Sequence, residues 1–139
     1  MDRTPVQNVA RLAGVVFLLV GIAGFVPGVT TNLYDGLEFS GDAGTAELLG
    51  IFAVSVLHNI VHGLFGLAGL ALSATASGAR TFLLGGGAVY VALLLLGIVG
   101  GAEWMPANSA DNWLHLVLGA GMIAAGLALT RTRPVARTT

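Results

Sequence analysis

Apolar residues fall along this chain in four long runs, at about residues 9–27, 48–76, 82–102 and 110–130. Each reaches the ~17–25 residues that cross a ~30 Å hydrocarbon layer as a helix. Unbroken apolar runs of this length are not strands, and in lipid a helix satisfies its own backbone hydrogen bonds. The pattern therefore predicts an all-α membrane protein: one domain over residues 1–139, with four transmembrane helices. The second run is long for one span, and an amphipathic turn around Leu48–Val56 is expected at its start. Ser109 is the expected N-cap of the last helix, with Asn112 at the third helical position. The stretch SATASGA at 73–79 makes a short turn, so the middle two helices are expected to be antiparallel neighbours.

Polar positions inside these runs are not scattered. Residues 58–70 read HNIVHGLFGLAGL and residues 111–123 read DNWLHLVLGAGMI, two phrases 53 positions apart. They pair His58 with Asp111, Asn59 with Asn112, His62 with His115 and Gly66 with Gly119. A weaker echo pairs GIAGFVP at 21–27 with GIVGGAEWMP at 97–106. The arrangement predicts a tandem repeat of two helix pairs running in the same direction, related by an axis along the membrane normal. At 100° per residue, Ser55, His58, Asn59, His62, Gly66, Gly69 and Ser73 share one face, with Leu57, Val61, Leu64, Ala68 and Ala71 opposite, facing lipid. The fourth run repeats this with Asp111, Asn112, His115, Gly119, Met122 and Gly126. The small-residue face suits close helix contact, so Asn59, Asn112, Gly66 and Gly119 are expected at interhelical packing positions.

Charge gives the runs a direction. All six basic residues are Arg, at positions 3, 11, 80, 131, 133 and 137: the N-terminal arm, the short middle turn and the C-terminal tail. Asp35, Glu38, Asp42, Glu47, Glu103 and Asp111 occupy the other two connections, and Asp2 alone is an acid on the basic side. The positive-inside rule then puts both termini in the cytoplasm of a multi-pass membrane protein. Tyr34, Trp104 and Trp113 fall at the outer boundary, where amphipathic rings collect. A cleaved signal peptide is the rival reading of Arg3, Arg11 and Gly21–Ala23, but apolar character continues beyond it.

Only 9% of the residues are charged, against about 25% in soluble domains. Glycine, at 21 residues, is about twice its usual frequency, as tightly packed membrane helices use it. The absence of cysteine excludes disulfides, thiolate metal sites and thiol catalysis. No basic patch interleaved with aromatics supports nucleic-acid binding, and no nucleophile–base set or phosphate loop supports an enzyme.

Three readings fit the polar cluster. In the first, His and Asn side chains hydrogen-bond between helices and serve only the bundle. In the second, His58 and His62, four apart on a helix, join His115 and Asp111 in a divalent transition-metal site near the outer face. In the third, His62 and His115 are the axial ligands of a haem. Tyr90, midway along the third run, is expected to hydrogen-bond a neighbouring carbonyl.

The phrases VLHNIVHGLFGLAGLAL and PANSADNWLHLVLGAGMIAAG resemble the small membrane proteins catalogued as domain of unknown function 4383, common in actinobacteria. The likeness runs from about Val9 to Leu129, and it implies a four-span fold and an inner-membrane location without assigning an activity. The leading expectation is a small structural or interaction protein, partnered by the lipid bilayer and by copies of itself or a larger membrane complex. The alternative is a metal- or haem-binding protein, and a transporter comes third.

Overall fold

The computed structural model describes residues 3–101 and 103–129. Expectations resting on Asp2, Ala102, Arg131, Arg133 and Arg137, and on the end of the fourth run at Thr130, lie outside the described residues. The architecture is helical. Helix α1 spans Pro5–Ala23, and a short helix α2, Leu33–Gly36, follows strand β1, Thr30–Thr31. Strands β2, Glu47–Leu48, and β3, Phe52–Ala53, precede α3, Val56–Leu72, α4, Ala76–Val99, and α5, Ser109–Ala128. By length and composition, α1 and α4 are able to cross a membrane, and α3 is a shorter apolar helix.

Local chemistry sets the helix ends. Pro5 begins α1, where its missing N–H costs nothing. The Ser55 and Thr75 side chains cap α3 and α4 by accepting from the amides of His58 and Gly78, at 3.2 and 3.0 Å. Gly100, at φ 79°, ends α4 in the left-handed conformation that glycine adopts freely. At α5 the expected cap moves by one residue. Asn108, not Ser109, is the N-cap, and Asp111, not Asn112, holds the third position. Asn108 Oδ1 accepts from the amides of Ala110 and Asp111, and Asp111 Oδ2 accepts from the amide of Asn108 at 2.9 Å. Asn caps as well as Ser, and the carboxylate three residues on closes the reciprocal box.

The second apolar run also divides differently. Only residues 56–72 of the expected 48–76 are α3. Before it, β1, β2 and β3 form a small antiparallel sheet in that order. Leu49 and Gly50 turn the β2–β3 hairpin at φ 56° and 68°, a conformation that interrupts any helix through this segment. Ala46, Leu48 and Val54 are buried beneath the sheet against Val20, Ala23 and Leu37, closing one end of α1.

Two antiparallel helix pairs, α1 with α3 and α4 with α5, carry most of the packing, and α1 meets α4 across the centre. The consecutive helices α3 and α4, expected as close neighbours, touch far less. Glycine explains the tight pairs. A Cβ added to Gly14 would stand 2.8 Å from the Leu70 amide nitrogen, and one on Gly21 2.6 Å from that of Gly63. In the other pair, a Cβ on Gly87 would stand 2.9 Å from the Gly119 carbonyl oxygen. Backbones this close leave no room for side chains, whereas between α3 and α4 the space over Gly69 and Gly86 is taken by the rings of Phe82 and Phe65. Val6, Ala10, Phe17, Leu83, Tyr90 and Met122 fill the shared core. Gln7 ties α1 to the α3–α4 turn by donating to the carbonyls of Ser73 and Ala74, at 3.1 and 2.9 Å.

Candidate functional site

The repeated phrases meet at the capped end of the molecule. His58, His62 and His115 line one cavity of about 210 Å³, with Tyr90 of α4 beside them. The cavity lies in the loosely packed seam between α3 and α4, under Trp104, Met105 and Pro106 of the α4–α5 connection. Apart from Ser55, its other walls are apolar, among them Leu57, Val61, Phe65, Val89 and Leu93. Helical periodicity puts His58 and His62 one turn apart on the inward side of α3, and α5 presents His115 toward the same place.

Each imidazole is held differently. His62 Nδ1 lies 3.1 Å from the His58 carbonyl oxygen, one turn back along α3. A carbonyl only accepts, so in the neutral ring Nδ1 carries the proton and Nε2 presents its lone pair. The Tyr90 hydroxyl, 3.3 Å from that Nε2, donates to it. Tyr90 thus bonds a histidine of α3 rather than the carbonyl that the sequence suggested. His58 stacks on His62 with ring centroids 4.3 Å apart and planes at 17°. The His115 ring meets the Tyr90 ring edge-on at 5.2 Å, and its buried Nδ1 has no hydrogen-bond partner. Phe17 stacks on the other side of Tyr90 at 5.5 Å and packs on Phe65 and His62.

Asp111 is employed elsewhere. It is only 3% exposed, and its Oδ2 accepts from the Asn108 amide and, at 3.1 Å, from the Ala53 amide of β3. A second cavity brushes Asp111 together with the three histidines, but the carboxylate fastens α5 to the sheet. Among the described residues, no three His, Asp or Glu side chains form a group able to hold a metal ion. All four residues of the expected set, His58, His62, Asp111 and His115, line that second cavity, where His62 and Asp111 already make hydrogen bonds. Both nitrogens of His62 are engaged, and the His58 ring stacks on it. A haem held between His62 and His115 would have to displace Tyr90, which contacts both.

The expected packing residues lie at helix contacts. Asn59, 2% exposed, abuts Gly24 at the end of α1, and Asn112 abuts Gly97 near the end of α4. Asn59 Nδ2 and Asn112 Oδ1 are buried without partners. Gly66 lies against the Leu18 backbone, and Gly119 against Val91, Gly87 and Tyr90. Phe17 and Phe65, which pack around Tyr90, escaped the reading of polar positions. The signal for Phe17 was the shared face of Val6, Ala10, Gly14, Phe17 and Gly21 on α1, all buried.

These features define a small, glycine-packed helical protein with an apolar cavity that ends in imidazoles. The chain belongs to the family described as a domain of unknown function (DUF4383), whose model matches residues 7–128. No curated protein and no solved structure matches it.

Proposed function

We propose that residues 1–139 form one four-span domain of the inner membrane, with both termini cytoplasmic, acting as a small structural or interaction protein. One observation carries this reading: all four long helices turn large apolar side chains outward. Leu12, Val16 and Leu19 of α1, Val61, Leu64 and Leu67 of α3, Leu95 and Ile98 of α4, and Trp113, Val117 and Leu127 of α5 are all exposed. Contiguous apolar surface on this scale is untenable in water and ordinary in lipid. The shortest of the four, α3, has 17 residues, so at about 1.5 Å each it nearly matches a ~30 Å core.

The two helix pairs are the units of the proposed repeat. Asn59 on Gly24 corresponds to Asn112 on Gly97, and Gly66 beside Gly14 corresponds to Gly119 beside Gly87. The same shift carries Phe17 onto Tyr90, so the two helices that meet at the centre do so through equivalent rings. In this reading Tyr90–His62 is the polar joint between pairs, and partners are recruited through the outward faces, as self-association or in a larger complex.

Fractionation tests the proposal. The chain should stay in the membrane pellet after alkaline carbonate treatment, and release into the supernatant would contradict it. Purified in detergent, it should carry no stoichiometric zinc, copper, nickel or haem, and chelator should leave its Tm unchanged. One bound metal per chain that raises the Tm would replace the structural role with the metal-binding one.

A further inference from the structure

We propose that the seam between α3 and α4 holds one acyl chain of an outer-leaflet phospholipid, in a lateral site built into the fold. The inference rests on the membrane reading above and names what fills the gap between the two helix pairs. The cavity runs from Leu57 to Phe65, about 12 Å along α3. Trp104, Met105 and Pro106 roof it, and Tyr90 and His62 form its inner wall. Below it the rings of Phe65 and Phe82 meet at 5.0 Å and take the space over Gly86 and Gly69. The remaining side opens between Val61 and Val89, 51% and 50% exposed, on the surface assigned to lipid.

The lining decides the chemistry. Both nitrogens of His62 are bonded, to the His58 carbonyl and the Tyr90 hydroxyl, and His115 Nδ1 is buried out of reach. Little polar surface therefore faces the space, and an apolar cavity of this kind stays dry and takes up hydrocarbon. Left empty, its walls would forfeit dispersion contacts on one side. At about 210 Å³ it exceeds the ~150 Å³ that admits a benzene ring and falls short of the ~300–1,000 Å³ that encloses a drug-sized molecule. Elongated and open sideways to the bilayer, it fits a single unbranched chain. A phospholipid tail suits it better than a free fatty acid. Glu103 is exposed next to Trp104, and the described arginines Arg3, Arg11 and Arg80 lie toward the opposite end of α1 and α4. A carboxylate head at the roof would therefore face an acid and no described cation.

The test uses the full chain in phosphatidylcholine vesicles, after carbonate extraction has shown that it is membrane-integral. A fraction of the lipid carries a diazirine midway along one tail, and cross-links formed on illumination are mapped by mass spectrometry. Leu57 and Leu93, half-buried walls of the seam, should be labelled along with the outward Leu64 and Leu95. Leu18 and Ile123, half-buried inside the tight pairs, should not be. Val61→Phe and Val89→Phe fill the mouth from exposed positions. Each should cut labelling of Leu57 and Leu93 roughly fivefold and leave Leu64 and Leu95 labelled as before. Labelling confined to Leu64 and Leu95 in the unmodified chain would mean that tails only pass over the seam, and would overturn the site. Equal labelling of Leu18 and Ile123, or labelling of the seam that neither variant lowers, would overturn it too. Excess palmitate that clears Leu57 and Leu93 alone would give the slot to free fatty acids and overturn the phospholipid assignment. A chain that carbonate releases would instead sink the membrane reading before any labelling.

Discussion

The carboxylate of Asp111 accepts the amide hydrogen of Ala53 at 3.1 Å, across 58 positions of sequence. The same oxygen closes the cap of α5, so one side chain fastens a helix start to the sheet that covers the other helix pair. Asp111→Ala removes a capping group and leaves the half-buried Ala53 amide unpaired, at a cost of about 1–3 kcal/mol. Asp111→Asn keeps an oxygen at the same place and should cost less than about 1 kcal/mol. Thermal unfolding in detergent separates the two. Equal loss in both variants would show that the charge matters beyond these amides.

Tyr90 joins the helix pairs through two different contacts. Tyr90→Phe keeps the stack on Phe17 and removes only the hydroxyl, leaving His62 Nε2 without its donor. The expected loss is about 1–3 kcal/mol, the penalty of an orphaned buried acceptor. Tyr90→Ala also empties the core at this level and should cost about 3–5 kcal/mol. If Tyr90→Phe melts like the unmodified chain, the joint does not run through this hydrogen bond.

The two repeat glycines are not equally confined. A Cβ on Gly66 would collide with backbone atoms of Leu18, which cannot yield without moving α1. On Gly119 the nearest atoms would be Val91 Cγ2 at 3.1 Å, the Gly87 oxygen at 3.2 Å and Tyr90 Cβ at 3.3 Å. Gly66→Ala should therefore lower stability by about 1–3 kcal/mol, and Gly119→Ala by less than half of that. Leu64→Ala, on the outward face of α3, should fall below both, since its side chain is 61% exposed. The same order should appear in the yield of folded protein. Equal tolerance at Gly66 and Leu64 would refute the facing of α3.

Much of this arrangement was legible in periodicity. Period 3.6 puts Ser55, His58, Asn59, His62, Gly66, Gly69 and Ser73 on one face, and all are buried except the half-buried His58 and His62. Val61 and Leu64, assigned opposite, are exposed, whereas Leu57, assigned with them, is half-buried at the cavity. The β2–β3 hairpin was hidden because residues 48–54 continue the apolar run of α3, and short apolar stretches suit strand and helix equally. Its one local mark, Gly50, was also compatible with a helix start. The α5 cap slipped because Asn108 and Ser109 are equally good caps, and only the reciprocal contact with Asp111 separates them.

The site itself was half legible. The repeat pointed to the histidines and left three roles open for them, with interhelical hydrogen bonding ahead of a metal site and haem ligation. Spacing says nothing of a neighbour from another helix, and Tyr90 of α4 takes the nitrogen of His62 that an ion would need. The first and third helices were matched by GIAGFVP and GIVGGAEWMP, which sets Gly21 on Gly97. The contacts instead set Gly24 beside Asn59 and Gly97 beside Asn112, three residues further along α1. Glycine-rich apolar sequence slides easily against itself, and only the asparagine contacts fix its register.

The account's central claim is that four helices cross the membrane with the sheet and its connections outside. Single cysteines placed in this cysteine-free chain test it most directly, because Ser40, Ser77 and Ser109 are all exposed. In intact cells, an impermeant maleimide should label Ser40→Cys and Ser109→Cys and should leave Ser77→Cys untouched until the membrane is opened. Labelling of Ser77→Cys in sealed cells, or protection of Ser40→Cys and Ser109→Cys, would contradict the claim.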